Sequence, residues 1–134
     1  MIQLDMIGII ANDMKKSIDF YRTLGLNIPS DLVVDQYYEI NEGGVRLSFN
    51  SKEMVAGIYG TLEAPKGQRL ELAFLCDDVP SLNEKHIVMK EAGYTIFKEP
   101  WDTFWGQRYC IIEDCDGNLV SLFCPLENNG MSND

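Results

Sequence analysis

Trp105-Gly-Gln-Arg-Tyr-Cys-Ile-Ile-Glu-Asp-Cys-Asp-Gly-Asn-Leu-Val-Ser-Leu-Phe123 reads as strand, tight turn, strand. Tyr109 to Ile112 is aromatic and β-branched, Asp116-Gly117 is a hairpin turn pair, and Leu119 to Phe123 is apolar again. A turn at a fixed place sets the register, so alternate residues of the second strand share a face. Leu119, Ser121 and Phe123 point one way, and Val120, Leu122 and Cys124 the other.

An earlier stretch repeats this pattern. Gly44-Val-Arg-Leu-Ser-Phe49 matches Gly117-Asn-Leu-Val-Ser-Leu122, an offset of 73 that sets Ser48 opposite Ser121. A second offset comes from two helix starts. Asn12-Asp13 caps an apolar run at helical spacing (Met14, Ile18, Tyr21, Leu24) that Gly25 ends; Asp77-Asp78 caps a helix from about Ser81 to Glu91 that Gly93 ends. Asp13 and Asp78 lie 65 apart, which sets Met6 opposite Glu71.

Strands are expected at Ile2 to Ala11, Leu32 to Ile40, Val45 to Asn50, Leu70 to Cys76 and Tyr94 to Phe97, as well as in the closing hairpin. Residues 51–68, rich in glycine and proline, read as a long irregular connection with a short strand near Ile58. The sum is an α+β fold of two tandem βαβββ modules, about 1–60 and 68–126, forming pseudo-twofold-related curved mixed sheets. Each sheet carries helix on one face and borders a cavity with the other. Residues 1–126 form one domain, and the polar 127–134 a flexible tail.

Composition narrows the function classes. The chain has 134 residues, 46% of them apolar, and no run near the ~18 apolar residues of a membrane helix. Its N-terminus lacks a basic region and an apolar signal core, so a cytoplasmic protein is expected. Cys76, Cys110, Cys115 and Cys124 have no CxxC or CxxH spacing and read as reduced thiols. A net charge of −10 disfavours nucleic acid and anionic membranes and favours a cationic ligand.

Several segments together resemble the vicinal oxygen chelate superfamily, which includes glyoxalase I, extradiol dioxygenases and bleomycin-resistance proteins. They are Asp13-Met-Lys-Lys-Ser-Ile-Asp-Phe-Tyr21 with Leu24-Gly25, Leu70-Glu-Leu-Ala-Phe-Leu-Cys-Asp-Asp78, Trp105-Gly-Gln-Arg-Tyr109 and Asp114-Cys-Asp-Gly-Asn118. Cys115 stands where the family usually has proline. In metal-dependent members, His, Gln or Glu from the first and last strands of each module hold a divalent ion. The resemblance places that role on Met6, Ser48, Glu71 and Ser121, of which Glu71 alone is a competent ligand. It therefore implies a member without a catalytic metal. His86, the one histidine, falls mid-helix and reads as a surface or packing residue.

Strand alternation fills the cavity instead. Arg46 and Asn50 accompany Ser48, and Leu119 and Phe123 accompany Ser121. A buried ion pair between Arg46 and Glu71 is the structural alternative to a ligand role for both. Tyr37 and Tyr38 alternate, so one faces the cavity and the other the helices; Tyr38 stands among the candidates. Pro100-Trp-Asp-Thr-Phe-Trp-Gly106 reads as an aromatic loop whose Trp101, Phe104 and Trp105 can stack on a planar or cationic ligand. In drug-binding members the equivalent loop borders a groove between two subunits, so the resemblance implies a homodimer.

The expected function is binding of a drug or metabolite without a cofactor, through Tyr38, Arg46, Ser48, Asn50, Glu71, Trp101, Phe104, Trp105, Arg108 and Ser121. The alternative is a lyase, isomerase or dioxygenase of the glyoxalase type. There Glu71 is the general base or a partial metal ligand, and Arg46 or Arg108 holds a developing oxyanion.

Overall fold

A computed structural model describes residues 2–68 and 70–126; the tail expected at 127–134 lies outside the described residues. The chain divides into two compact units at Gly67/Gln68.

The first unit runs β1 (Met6–Ala11), α1 (Met14–Leu24), β2 (Tyr37–Glu42), β3 (Val45–Ser51), α2 (Lys52–Tyr59). Its sheet has the order β1-β3-β2, with β1 parallel and β2 antiparallel to β3. Asp13 caps α1 by accepting a hydrogen bond from the Lys16 amide at 3.0 Å, and Gly25 closes it at φ 128°, where a side chain would strain the backbone. Met14, Ser17, Ile18, Tyr21 and Leu24 recur at three- and four-residue spacing and are buried. Tyr21 meets the Phe49 ring at a centroid distance of 5.3 Å, so α1 covers the β3 face that carries Leu47 and Phe49. Each fully buried side chain of this size contributes roughly 1.5–3 kcal/mol of transfer free energy.

The second unit runs β4 (Glu71–Leu75), α3 (Val79–Glu91), β5 (Ile96–Asp102), β6 (Gln107–Glu113), β7 (Leu119–Pro125), with sheet order β4-β7-β6-β5. Asp78 caps α3 through the Ser81 amide at 2.8 Å. Leu82 and Met89 of α3 are buried, as are Cys110, Ile112, Val120, Leu122 and Cys124 on the helix side of the sheet.

The duplication is visible in the strand registers. Gly8 pairs with Ser48 in the parallel β1–β3 ladder, and Ala73 with Ser121 in the parallel β4–β7 ladder. These are the same two pairs related by the offsets of 65 and 73. Both serines are fully buried although they lie on the faces away from the helices.

Four expectations need correction. The first unit has three strands rather than four, since no strand forms near Ile58, and β2 begins at Tyr37 instead of Leu32. In the irregular connection before β2 the Arg22 guanidinium donates to the carbonyls of Ile28 at 3.2 Å and Pro29 at 2.8 Å. The connection after β3 holds a helix, α2, instead of a strand near Ile58; Ser51 caps it by accepting from the Met54 amide at 3.1 Å. Strand β5 runs on through Pro100 and Trp101, which shortens the aromatic loop to Thr103–Gly106. Finally, the turn before β7 is organised by Asp114 rather than Asp116. Buried Asp114 accepts from the amides of Asp116 (2.9 Å) and Asn118 (2.8 Å) and from the Asn118 side chain (2.9 Å), while Gly117 adopts φ 84°.

Two predictions follow from this packing. Replacing Asp114 with Ala leaves two turn amides without acceptors, and hydrogen bonds to a charged group contribute about 1.5–3 kcal/mol. Thermal unfolding of Asp114→Ala should fall by roughly 10 °C, whereas Asp114→Asn, which keeps the acceptor, should lose less than half as much. The second concerns the thiols. Burial pushes Cys110 up to about 12 and raises Cys124, while Cys115 is exposed. Since the thiolate is the reactive form, alkylation of the native protein at pH 8 should mark Cys115 first and Cys110 only after denaturation, as peptide mapping would show.

Candidate functional site

The helix-free face of the first sheet carries Met6 and Gly8 from β1, Arg46, Ser48 and Asn50 from β3, and Tyr37 and Glu39 from β2. This face is closed by its own polar contacts. Arg46 donates to both Glu39 oxygens (3.0 and 2.9 Å) and to Asp5 at 2.5 Å, and Tyr37 donates to Glu39. That phenol hydrogen bond, followed by the Arg46 guanidinium, holds the Glu39 carboxyl below its ordinary value, and the same bond raises Tyr37. Arg46 thus takes both of its carboxylates, Glu39 and Asp5, from its own unit. Asn50 folds over the glycine position to donate to Ser48 Oγ at 3.0 Å and to the Ile9 carbonyl at 3.2 Å. A Cβ on Gly8 would stand 3.3 Å from both side chains. Tyr38 pairs with Phe49 on the opposite, helix-covered face, so Tyr37 is the tyrosine that shares Ser48's side.

A separate cleft of about 300 Å³ in this unit is lined by Asn12, Met14, Asp35, Gln36, Ser51 and Glu53. It is polar and acidic, and no aromatic residue lines it.

The helix-free face of the second sheet is different. The β5–β6 turn is tied by Thr103, whose amide donates to the Gln107 carbonyl at 2.7 Å and whose hydroxyl accepts from the Gln107 amide at 3.0 Å. The turn projects Phe104, 97% exposed, and Trp105, 51% exposed. Trp105 donates its indole N–H to Gln107 Oε1 at 2.8 Å, which fixes the ring plane. From there the rings touch in series: Phe104–Trp105 at 4.9 Å, Trp105–Tyr109 at 5.7 Å, Tyr109–Trp101 at 5.4 Å and Tyr109–Phe123 at 6.2 Å between centroids. Lys98 places its ammonium 4.3 Å from the Trp101 ring centroid, a cation–π contact.

Glu71 borders this aromatic shelf. Its Oε2 accepts from the Tyr109 hydroxyl at 2.5 Å and from the Ser121 hydroxyl. Burial first, and then the hydrogen bond to Glu71, raise the Tyr109 phenol above its ordinary value of 10.0, so it remains a donor at neutral pH. Arg108 lies on the other face, bound to Asn83 of α3 at 3.2 Å and to Asp102 at 3.0 Å. Of the expected residues, the second sheet therefore gathers Glu71, Trp101, Phe104, Trp105 and Ser121, and leaves Arg108 aside.

Tyr109 is the central residue that sequence reasoning missed. Counting back across the hairpin from the Asp114–Asn118 turn pairs Tyr109 with Phe123, which was already assigned to Ser121's face, so the signal was present. His86 is buried on α3, with Nε2 standing 2.8 Å from Glu99 Oε1, away from this shelf.

The sequence profile of the Glyoxalase/Bleomycin resistance protein/Dioxygenase superfamily matches residues 3–122. The chain belongs to this superfamily. A curated relative from Bacillus subtilis, uncharacterized protein YraH, is 28% identical over 131 residues, covering 93% of this chain and all of its own. Among solved structures, a glyoxalase/bleomycin resistance protein/dioxygenase family enzyme from Burkholderia phytofirmans superposes with a TM-score of 0.81 at 19% identity, covering 93% of this chain and all of that one. The lactoylglutathione lyase of Agrobacterium tumefaciens gives 0.67 at 18% identity, with 91% and 92% covered. At these identities the structures speak for the fold.

Each unit by itself offers poor donors for a divalent ion of the kind held by metal-dependent superfamily members. Met6 offers a thioether, Ser48 a hydroxyl already engaged by Asn50, and Ser121 a hydroxyl that donates to Glu71. A catalytic site needs about three protein ligands and an open position, and hard or borderline cations take carboxylate and imidazole over thioether and hydroxyl. Among the described residues no group of three or more His, Cys, Asp or Glu side chains is placed to hold a metal ion. The donor set does not fit.

The Glu71–Tyr109 contact can be tested without any ligand. A phenol whose value is raised on folding stabilises the protein below its ordinary value and loses that contribution as pH climbs through the raised one. Substituting Glu71→Gln removes the negative neighbour while burial remains. In a spectrophotometric titration one of the raised tyrosine transitions of the native protein should therefore shift downward in Glu71→Gln, and the same transition should be missing in Tyr109→Phe.

Proposed function

We propose that this protein binds a planar, cationic small molecule on the aromatic shelf of its second sheet, as a member of the glyoxalase/bleomycin-resistance type that works without a catalytic metal. The observation that carries the reading is the cluster of five rings centred on Tyr109, which touches Trp105 (and through it Phe104), Trp101 and Phe123, lying beside the Glu71 carboxylate on a face free of helices. Small-molecule sites combine apolar and aromatic walls with a few placed polar groups, which is the composition of this face. The −10 net charge adds long-range attraction for a cation, and Lys98 on Trp101 is an internal instance of the contact a ligand cation would make. A cytoplasmic homodimer belongs to the same reading, and light scattering on the purified protein tests the dimer.

A second reading keeps Glu71 as a general base on a carbon acid. The motivating observation is that Glu71 is held by a phenol and a hydroxyl, which would fix its free oxygen against a substrate. Loss of a measured turnover in Glu71→Gln with folding intact would support it.

Titration with planar aromatic cations should quench tryptophan fluorescence saturably, with no change on adding Mn, Ni, Zn or Fe. A lost aromatic contact weakens binding by about 0.5–1.5 kcal/mol. Trp105→Ala should therefore raise Kd roughly three- to tenfold, while Trp105→Phe recovers most of the loss. Unchanged fluorescence across a broad panel of such compounds would overturn the binding reading.

A further inference from the structure

We infer that Glu71 is the specificity-determining residue of this shelf and that it selects aromatic cations bearing an N–H donor over cations of equal charge that lack one. The inference rests on the binding reading above and adds the chemistry of the cation. Three features of the geometry lead to it.

Both hydroxyl hydrogen bonds fall on Glu71 Oε2, from Tyr109 at 2.5 Å and from Ser121. Neither uses Oε1, so the carboxylate is anchored through one oxygen and presents the other. An oxygen held in this way has no further orientation to lose when a donor arrives, and preorganisation of that kind is what converts a contact into affinity.

The anchor ties the carboxylate to the stacking surface. Tyr109 is the donor to Oε2, and its ring also contacts Trp101, Trp105 and Phe123. A flat ligand lying over Tyr109, whose hydroxyl edge meets Glu71, thus has its own edge directed toward that carboxylate, where an in-plane N–H can reach Oε1 while the ring stays stacked. Ser121 is fully buried and Glu71 exposed, so the pair sits at the rim of the shelf rather than beneath it.

Charge alone would not require such an arrangement. An exposed carboxylate attracts every cation through solvent with modest and salt-screened strength. A charge-assisted hydrogen bond is directional and roughly twice as strong as a neutral one. The pairing of a fixed carboxylate oxygen with a fixed ring plane favours ligands that use both, such as protonated amino-heteroaromatics.

Calorimetry at 0.15 M salt and pH 7.5 with three acridines of similar shape tests the inference. 9-Aminoacridine is a planar cation with N–H donors, 10-methylacridinium is a planar cation without them, and acridine is neutral at this pH. The expected result is that 9-aminoacridine binds ten- to hundredfold more tightly than 10-methylacridinium, the range of one charge-assisted hydrogen bond. In Glu71→Gln, with folding verified by circular dichroism, that preference should fall below about threefold. Tyr109→Phe keeps the ring but releases the anchor, and should retain the ranking with a smaller ratio. Equal affinity for the two cations, with acridine weaker, overturns the N–H assignment and leaves the aromatic reading standing. So does a preference that survives unchanged in Glu71→Gln. An absence of binding by all three overturns both.

Discussion

The parallel pairing of the first and last strands of each unit is the constraint on which the remainder depends. Parallel neighbours cannot be joined by a tight turn, so the chain must leave the sheet and return, and a helix is the usual way to do so. In both units that crossover lays its helix, α1 or α3, on one face and leaves the other without one. The pairing also fixes which residues occupy the free face. Gly8 opposite Ser48 and Ala73 opposite Ser121 are consequences of register, and a slip of one residue would turn Glu71 inward and Leu72 outward.

Once their registers are set, the two copies spend their free faces differently. The first fills its face with an internal network, Asp5–Arg46–Glu39–Tyr37 and Asn50–Ser48, in which nearly every donor already has an acceptor. Exposed pairs of this type contribute little to stability, about 0–1 kcal/mol each, but they leave few groups to offer an incoming molecule. At the positions equivalent to Arg46 and Glu39 the second copy carries Leu119 and Ile111, and its rings come from Tyr109, Phe123 and the β5–β6 hairpin, with one carboxylate at the edge. Duplication supplied the geometry, and side-chain chemistry separated a charged face from an aromatic one.

Much of this was legible because repetition lets two weak signals check each other. Helix caps at Asp13 and Asp78 and hairpin glycines at Gly44 and Gly117 gave independent offsets, and both strand registers agree with them. The misses share a physical cause, namely side chains that satisfy backbone groups at a distance no periodicity detects. Arg22 reaches six and seven residues ahead to carbonyls of the irregular connection before β2. Ser51 starts a helix inside a stretch whose glycines argue for coil. Asp114 organises a turn that the Asp116-Gly117 pair seemed to explain. At the candidate site, Glu71 and Ser121 were reachable by alternation, whereas the partners of Arg46 (Glu39 and Asp5) and of Arg108 (Asn83 and Asp102) were not, because charge pairing is three-dimensional.

The grip of Arg22 on the Ile28 and Pro29 carbonyls bears on how such a chain can change over time. The stretch it secures lies between a helix and a meander, and the parallel first-to-last register is indifferent to how many residues are spent there. The helix-ending glycines Gly25 and Gly93 are 68 apart, and the paired positions Glu39 and Ile111 are 72 apart, so half of the drift in offset from 65 to 73 between the copies has accumulated there. Loop length is cheap, each doubling costing only about 0.6 kcal/mol in closure entropy. Residues 26–36 are thus the part of the first unit where insertions and deletions can be absorbed, leaving both serine-bearing faces in register.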